Sequence, residues 1–238
     1  MNSHIFPWLY DAFMRTAERG RLAGWRRSVA APATGRIIEI GAGTGLNFRH
    51  FRAGATVFAT DRDLAMLRRA RDRARWSSVD ILLVVADAEA LPFRAHTFDD
   101  AVVGFAFCTI PRPARALTEL RRVLQPRATC RLLEHVRVDH RVVGKLQDWA
   151  TPVWRRIAGG CRLNRTTLEI LAASGFSLDS VRSHVGGFVV EVVARPRSLL
   201  VAANDREAVM GGRLRASGDR RPRMGRFPLL SELKKADR

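Results

Sequence analysis

From residue 36 onward, short continuous apolar runs alternate with stretches whose apolar residues recur every three or four positions. The runs at 36–40, 56–60, 80–85, 99–106 and 129–134 have strand length and stay apolar without alternation. Strands of that kind are buried on both faces, so the helices between them must cover both sides of a parallel sheet. The spacing predicts helices over 45–52, 63–76 and 113–124, the last ending before Pro126 because the residue preceding a proline leaves the helical region. A further helix over 168–174 closes at Gly175. Runs at 177–184 and 188–194 meet at Gly186-Gly187, a tight-turn pair that makes these two strands antiparallel. The expected architecture is α/β, a mainly parallel seven-stranded sheet with an antiparallel C-terminal strand.

Both ends read differently. Before residue 35, Ile5, Leu9 and Phe13 repeat at spacing four beside Phe6 and Tyr10, and a second helix fits 18–30. Residues 1–34 are therefore read as an N-terminal helical cap, which could cover a ligand site or lie on a membrane surface. Residues 35–196 are the catalytic-type domain. Residues 197–238 hold eleven Arg or Lys against five Asp or Glu with little periodicity, and read as a basic, flexible tail.

Composition narrows the classes. No apolar run approaches the length of about 18 residues that a spanning helix needs, and no basic segment followed by an apolar core marks a secretory leader. Cys108, Cys130 and Cys161 lie far apart with no metal-ligand spacing, so they read as free thiols in a reducing cytosol, with no metal expected. A net charge of +18 suggests nucleic acid or an anionic membrane. Only Lys145, Lys234 and Lys235 among the 41 basic residues are lysine. So strong an arginine bias fits genomic base composition better than a dedicated binding face, and nucleic acid is disfavoured as a partner.

The chemistry centres on Glu39-Ile40-Gly41-Ala42-Gly43-Thr44-Gly45, directly after the first apolar run. Alternate glycines let the backbone turn sharply and lie against a ligand where a Cβ would clash. The second run ends in Asp61. A glycine turn after strand one with a carboxylate at the tip of strand two is the layout of a nucleoside-binding α/β fold. The spacing is G-x-G-x-G rather than G-x-G-x-x-G, and an acid stands two places upstream. A carboxylate there would repel a pyrophosphate but suits the ammonium and sulfonium of S-adenosylmethionine. A tight turn in an unrelated α/β protein remains the plainer alternative.

Further motifs follow in order. Ala86-Asp87-Ala88-Glu89-Ala90-Leu91-Pro92-Phe93, Phe98-Asp99-Asp100-Ala101-Val102 and Leu120-Arg121-Arg122-Val123-Leu124-Gln125-Pro126 resemble the D-A-x-x-L-P-F, F-D-x-V and R-V-L-x-P signatures of class I S-adenosylmethionine-dependent methyltransferases, the methyltransferase type 11 domain with its Rossmann-like fold. Arg127-Ala128 replaces the family's usual two glycines. The resemblance implies S-adenosylmethionine as cofactor, held by Glu39, Gly41, Ala42, Gly43, Gly45 and Asn47 around the turn. It also implies Asp61 and Arg62 at the ribose, Asp87 and Ala88 at the adenine, and Phe105 after strand four.

Glu134-His135-Val136, Gly160-Cys161 and Asn164-Arg165-Thr166 resemble a narrower branch of that family, which includes alkyl-thiol methyltransferases and bacterial relatives of phospholipid and ubiquinone/menaquinone type. The likeness runs from about Phe6 to Pro196. It implies methyl transfer to a small or amphipathic acceptor, whether a thiol, a phenol or quinol, or a lipid amine. His135 is the candidate base, at a strand's carboxyl end. Tyr10, Cys108, Trp149 and Arg165 are the candidate acceptor contacts. Plainer readings stand beside each: core packing for Cys108 and for Trp149 with Trp154, a helical ion pair of Arg165 with Glu169, and a loop hydrogen bond for His135. Cys108-Thr109-Ile110-Pro111 stands where methyltransferases of base amines carry an N-P-P-Y-type tetrapeptide, which argues against that substrate. A non-catalytic cofactor-binding protein stays open as a third reading.

Overall fold

The computed structural model describes residues 20–197. One seven-stranded sheet runs through them in the order β3-β2-β1-β4-β5-β7-β6. The strands are β1 Arg36–Ile40, β2 Thr56–Asp61, β3 Asp80–Val85, β4 Phe98–Gly104, β5 Leu124–His135, β6 Phe176–His184 and β7 Val189–Pro196. Strands β1 to β5 pair in parallel, and β7 pairs antiparallel with both β5 and β6. Six strands therefore run one way and one runs back, as the Gly186-Gly187 turn predicts. Gly186 (φ 63°) and Gly187 (φ 95°) occupy that turn in the left-handed region.

The alternation within each strand builds two cores. Ile38, Ile40, Ala101, Val103 and Leu132 point to one face, under Leu117, Leu120 and Val123 of α3 (Pro113–Val123) and Leu171 of α5 (Thr167–Ala173). Ile37, Val57, Ala59, Val102 and Leu133 point to the other, under Val29 and Ala30 of α1 (Arg21–Ala30) and Leu67 and Ala70 of α2 (Leu64–Arg75). Both faces of β1 are apolar, so a one-residue slip would merely exchange Ile37 with Ile38; the hydrogen bond from Asn47 to Glu39 is what such a slip would break.

Acids at the start of β4 clamp the sheet's lower edge. Asp100 is buried and accepts from the Thr34 and Thr129 amides, while Asp99 accepts from the Arg36 amide and the Gln125 side chain. The F-D-D motif is thus structural. Glu119 and Arg122 of α3 tie down residues 91–93: Glu119 accepts from the Leu91 amide, and Arg122 donates to the Leu91 and Phe93 carbonyls.

Four elements depart from expectation. No α-helix covers 45–52; a run of turns leads into one 3-10 turn at Phe48–His50. Gly45 has φ +81° and Phe51 is extended, so the segment cannot hold helical dihedrals at either end. β4 stops at Gly104 rather than 106 because Phe105 adopts φ +57°, and β5 starts at Leu124, five residues early, across a register shift opposite Phe98 and Asp100. The fourth is α4, Arg141–Ile157, a 17-residue helix that the sequence pattern does not predict. The helical repeat at residues 5–13, Tyr10, and the basic tail lie outside the described residues. No described helix is long and apolar enough to cross a membrane.

Candidate active site

The carboxyl ends of β1 to β5 carry most of the predicted residues. At the tip of β1 the chain turns through Gly41, Gly43 and Gly45, all at positive φ. A Cβ on Gly41 would come within 2.5 Å of the Ala106 Cβ, so only glycine lets this turn lie against the loop after β4. Arg73 of α2 donates to the Thr44 carbonyl at 2.6 Å, and the Ala42 amide donates to Thr60 at 2.9 Å, which pins the turn to its neighbours.

Glu39 sits beneath the turn, 1% exposed. Its Oε1 accepts from Asn47 Nδ2 at 2.7 Å, and Asn47 Oδ1 accepts from Arg26 at 3.1 Å. The other oxygen, Oε2, is buried with no hydrogen-bond partner among the described residues. An acceptor left in that state costs free energy until a donor or cation meets it. Burial pushes Glu39 up to about 7, against the Asn47 hydrogen bond and the Arg26 charge, with Asp61 adding to the rise. Arg26 also lies over the Phe105 ring, 5.3 Å from its centroid. Nothing in the spacing of the sequence pointed to Arg26; it reaches the site because α1 packs against β4 and β5.

Asp61 ends β2 and faces the same turn. One oxygen accepts from the Gly43 amide at 2.9 Å and the other from Asp63 at 2.8 Å. Each retains a further lone pair for a ligand hydroxyl. Burial raises its carboxyl above the usual range, while those two amides hold it down. Asp87 lies after β3, exposed, with Oδ1 accepting from the Glu89 amide at 2.9 Å. Ala42 is buried in the turn, Ala88 half-buried beside Asp87, and Arg62 exposed beyond β2.

The acceptor side centres on Glu134, at the end of β5 and fully buried. Its carboxylate accepts from the Ala106 and Phe107 amides, both at 2.8 Å, and from Cys108 at 3.1 Å. Burial pushes it up to about 7 against those three donors and the neighbouring His135. Glu134 thus shapes the loop that presents Cys108. In the sequence Glu134 stands out only as part of a motif; its role shows once β4 and β5 are paired.

His135 packs on Phe105, with ring centroids 4.6 Å apart, and its Nδ1 lies 3.9 Å from Cys108 Sγ and 3.6 Å from Cys161 Sγ. Cys108 is held well above the ordinary thiol range by its hydrogen bond with Cys161 and by burial. Cys161 is drawn down to about 5, first by that hydrogen bond and then, against burial, by His135 and the Trp154 indole. Cys130 lies apart in the core, fully buried, its thiol pushed far up by desolvation.

Trp149 and the ion-pair reading of Arg165 depart from expectation. Trp149 is 79% exposed on the outer face of α4, because the inward face of that helix is taken by Gln147 and Thr151. Arg165 makes no ion pair with Glu169 among the described residues. It is buried and donates to the Ile110 carbonyl at 2.8 Å and to Cys108 at 3.4 Å, so it fixes the loop instead.

Residues 38–132 match a family described as the methyltransferase domain. Over that stretch, about two-fifths of the chain, the sequence is similar to class I, S-adenosylmethionine-dependent methyltransferases. It is 38% identical to a ubiquinone/menaquinone biosynthesis C-methyltransferase UbiE of Bordetella avium, over 48% of this chain and 46% of that protein. It is 33% identical to a demethylmenaquinone methyltransferase of Renibacterium salmoninarum, over 49% and 50%. The chain thus spans about half the length of these curated relatives. The solved S-adenosylmethionine-dependent methyltransferase of Thermotoga maritima superposes with a TM-score of 0.56 at 19% identity, over 79% of this chain and 98% of that one, a likeness of fold.

Proposed function

We propose that the chain transfers a methyl group from S-adenosylmethionine to a quinone-type, amphipathic acceptor. The observation that carries the donor half is Glu39: a buried carboxylate with one unpartnered oxygen, under a turn that tolerates only glycine at position 41. That arrangement fits a cationic ligand. When bound, S-adenosylmethionine supplies a methyl group already activated on its sulfonium.

The chain's own residues then bind, orient and handle protons. Glu39 as the anion offsets the ligand's positive charge, Asp61 accepts from ribose hydroxyls, and Asp87 accepts from the adenine amino group. Phe105 and Ala106 form the wall opposite the glycine turn. A quinol ring carbon becomes a better nucleophile once its hydroxyl loses a proton, and His135 is the group placed to take it. Its Nδ1 is turned to the two thiols, so Nε2 is the nitrogen left for that work. Alignment and exclusion of water supply the rest of the rate.

The quinone-type acceptor is supported by the named activities of the curated relatives. A second observation favours a lipid-borne substrate. Val142, Leu146, Trp149 and Val153 are each 60% exposed or more and spaced to share one face of α4. Exposed Arg141, Lys145 and Arg156 flank them. An apolar stripe beside a basic one is the pattern of a helix lying in an anionic membrane surface. Sedimentation with phosphatidylglycerol vesicles should retain the protein more than phosphatidylcholine vesicles do. Trp149→Ala should weaken that retention without changing thermal stability; equal retention of the variant would remove α4 from the membrane contact.

Incubation with labelled S-adenosylmethionine and a panel of demethylated quinols, thiols and lipid amines tests the activity. Label in the quinol is the expected result. Label in a thiol alone would move the acceptor class, and cofactor binding without label in any acceptor would sink the catalytic reading.

A further inference from the structure

The donor atoms of Cys108, His135 and Cys161 all lie within 4.8 Å of one another. They arrive from three separate elements: the loop after β4, the last residue of β5, and the loop after α4. Packing alone does not require two sulfurs and a ring nitrogen to face a common point. We propose that these three side chains form a binding site for a thiophilic d10 metal ion of the zinc class, beside the acceptor face and independent of the methyl-donor pocket.

The separations suit that ion. With zinc–sulfur and zinc–nitrogen bonds of about 2.3 and 2.0–2.1 Å, a tetrahedral angle puts sulfur and nitrogen about 3.6 Å apart. The distances from His135 Nδ1 are 3.6 Å to Cys161 Sγ and 3.9 Å to Cys108 Sγ. The two nitrogen–sulfur separations thus match a single ion shared by the three donors, which all lie within 4.8 Å of one another. Soft thiolates with one imidazole select zinc and its d10 neighbours over calcium or magnesium. Three protein ligands leave a fourth position, which is the layout of a metal that binds water or a substrate heteroatom rather than one that only holds a fold. Two thiolates neutralise a divalent ion, and Glu134, already committed to three amides, is not required as a ligand.

The surroundings hold the donors in place. Glu134 and Arg165 fix the Cys108 loop from both sides, and the Arg162 amide donates to the Cys108 carbonyl at 2.9 Å, linking the Cys161 loop to it. The ion would therefore join the three segments that border the acceptor side; with Nδ1 on the ion the ring's proton sits on Nε2, so the base role of His135 belongs to the metal-free form. In sequence the ligands stand at 108, 135 and 161, too far apart for any spacing rule to find them.

The test uses the full chain, reduced with a phosphine and stripped of metal by chelation. Titration with cobalt(II) should give one equivalent of a sulfur-to-cobalt charge-transfer band in the near ultraviolet and intense visible bands of tetrahedral geometry, both abolished by one equivalent of zinc. Cys108→Ser and Cys161→Ser should each lower the affinity by at least a hundredfold, with far-ultraviolet circular dichroism confirming the fold, while Cys130→Ser should bind as the parent does. In the parent protein, zinc should also slow alkylation of Cys108 and Cys161, a readout free of any folding defect. Absence of the thiolate band in fully reduced protein, or its persistence in the folded Cys108→Ser variant, would overturn the site. Neither result depends on whether methyl transfer is observed.

Discussion

The two halves of this domain present their chemistry in opposite ways. The donor half, built from the tips of β1 and β2, presents backbone and carboxylates: three glycines with positive φ, the buried Glu39 and half-buried Asp61, and an amide relay from Arg26 through Asn47 to Glu39. The acceptor half, after β4 and β5, presents soft and polarisable groups: two thiols, an imidazole and aromatic rings, shaped by one buried carboxylate. The donor half suits a charged nucleoside ligand of fixed chemistry. The acceptor half suits something less polar, and its shape depends on Glu134 and Arg165 rather than on a glycine turn. Perturbing one half at a time separates what binds the cofactor from what shapes the acceptor side.

The largest effect should come from Gly41→Val. Its left-handed φ of +67° and the 2.5 Å approach to Ala106 combine strain with overpacking. Together these cost about 2–4 kcal/mol, enough to lower the melting temperature clearly. Gly186→Ala is the control: its φ is +63° but nothing lies within 4 Å, so only the conformational cost of about 1 kcal/mol applies. Similar losses in the two variants would mean that the contact between the glycine turn and the loop after β4 carries no weight.

Next should come Glu134→Gln, which strikes the other half. The amide can accept through one oxygen, while its NH2 would confront an N–H donor of residues 106–108. Losing charge-assisted hydrogen bonds and leaving a buried donor unmet should cost about 2–3 kcal/mol by denaturant titration. Loss of acceptor turnover at saturating cofactor should accompany it. Unchanged stability would show that the loop holds its form without the carboxylate.

Asp61→Ala returns to the donor half with a smaller, more local effect. The substitution removes the acceptor for Gly43 and the lone pairs assigned to the ribose. S-adenosylmethionine affinity by calorimetry should fall about tenfold or more, the equivalent of one charge-assisted hydrogen bond. Retained affinity would remove Asp61 from the ribose site.

The same contrast explains what the sequence reveals. Glu39, the glycines and Asp61 are legible because each falls at a strand end, where a short contiguous motif fixes its place. The parallel strands are legible because apolar runs mark them. Helix α4 is not. Its inward residues are polar, with Gln147 bonding the Val136 and Leu163 carbonyls and the Val138 amide, while its outward stripe is apolar. That reverses the usual amphipathic rule, and Pro152 inside the helix reads as a break. The metal-ligand cluster and the role of Arg26 depend on contacts between distant segments, which no local spacing encodes. The sequence reading of Arg165 as a helical partner of Glu169 failed for the same reason, since its true acceptors are carbonyls some 55 residues away.

The smallest predicted effect is also the most diagnostic, because it gives the two states of the donor half opposite slopes with pH. Burial holds Glu39 at about 7 rather than the usual 4.5, with Arg26 from α1 and Asp61 from β2 the charged groups facing it. The empty fold therefore binds that proton more tightly than the unfolded chain does. Its contribution to stability is complete below the ordinary carboxyl range and is lost as pH rises through about 7. Cofactor binding runs the other way, since a cationic ligand selects the anion. Between pH 6 and pH 7 the ionised fraction rises roughly fivefold, and affinity should rise by the same factor. Glu134 and Asp61 are raised by burial as well, so the Glu39 part is the difference between the parent and Glu39→Gln. In that variant the rise in affinity should flatten and the cofactor-free melting temperature should fall less with pH. A cofactor affinity in the parent that is level across this range would mean that Glu39 binds its ligand as the neutral acid, and that the unpartnered oxygen waits for a hydrogen-bond donor rather than for a charge.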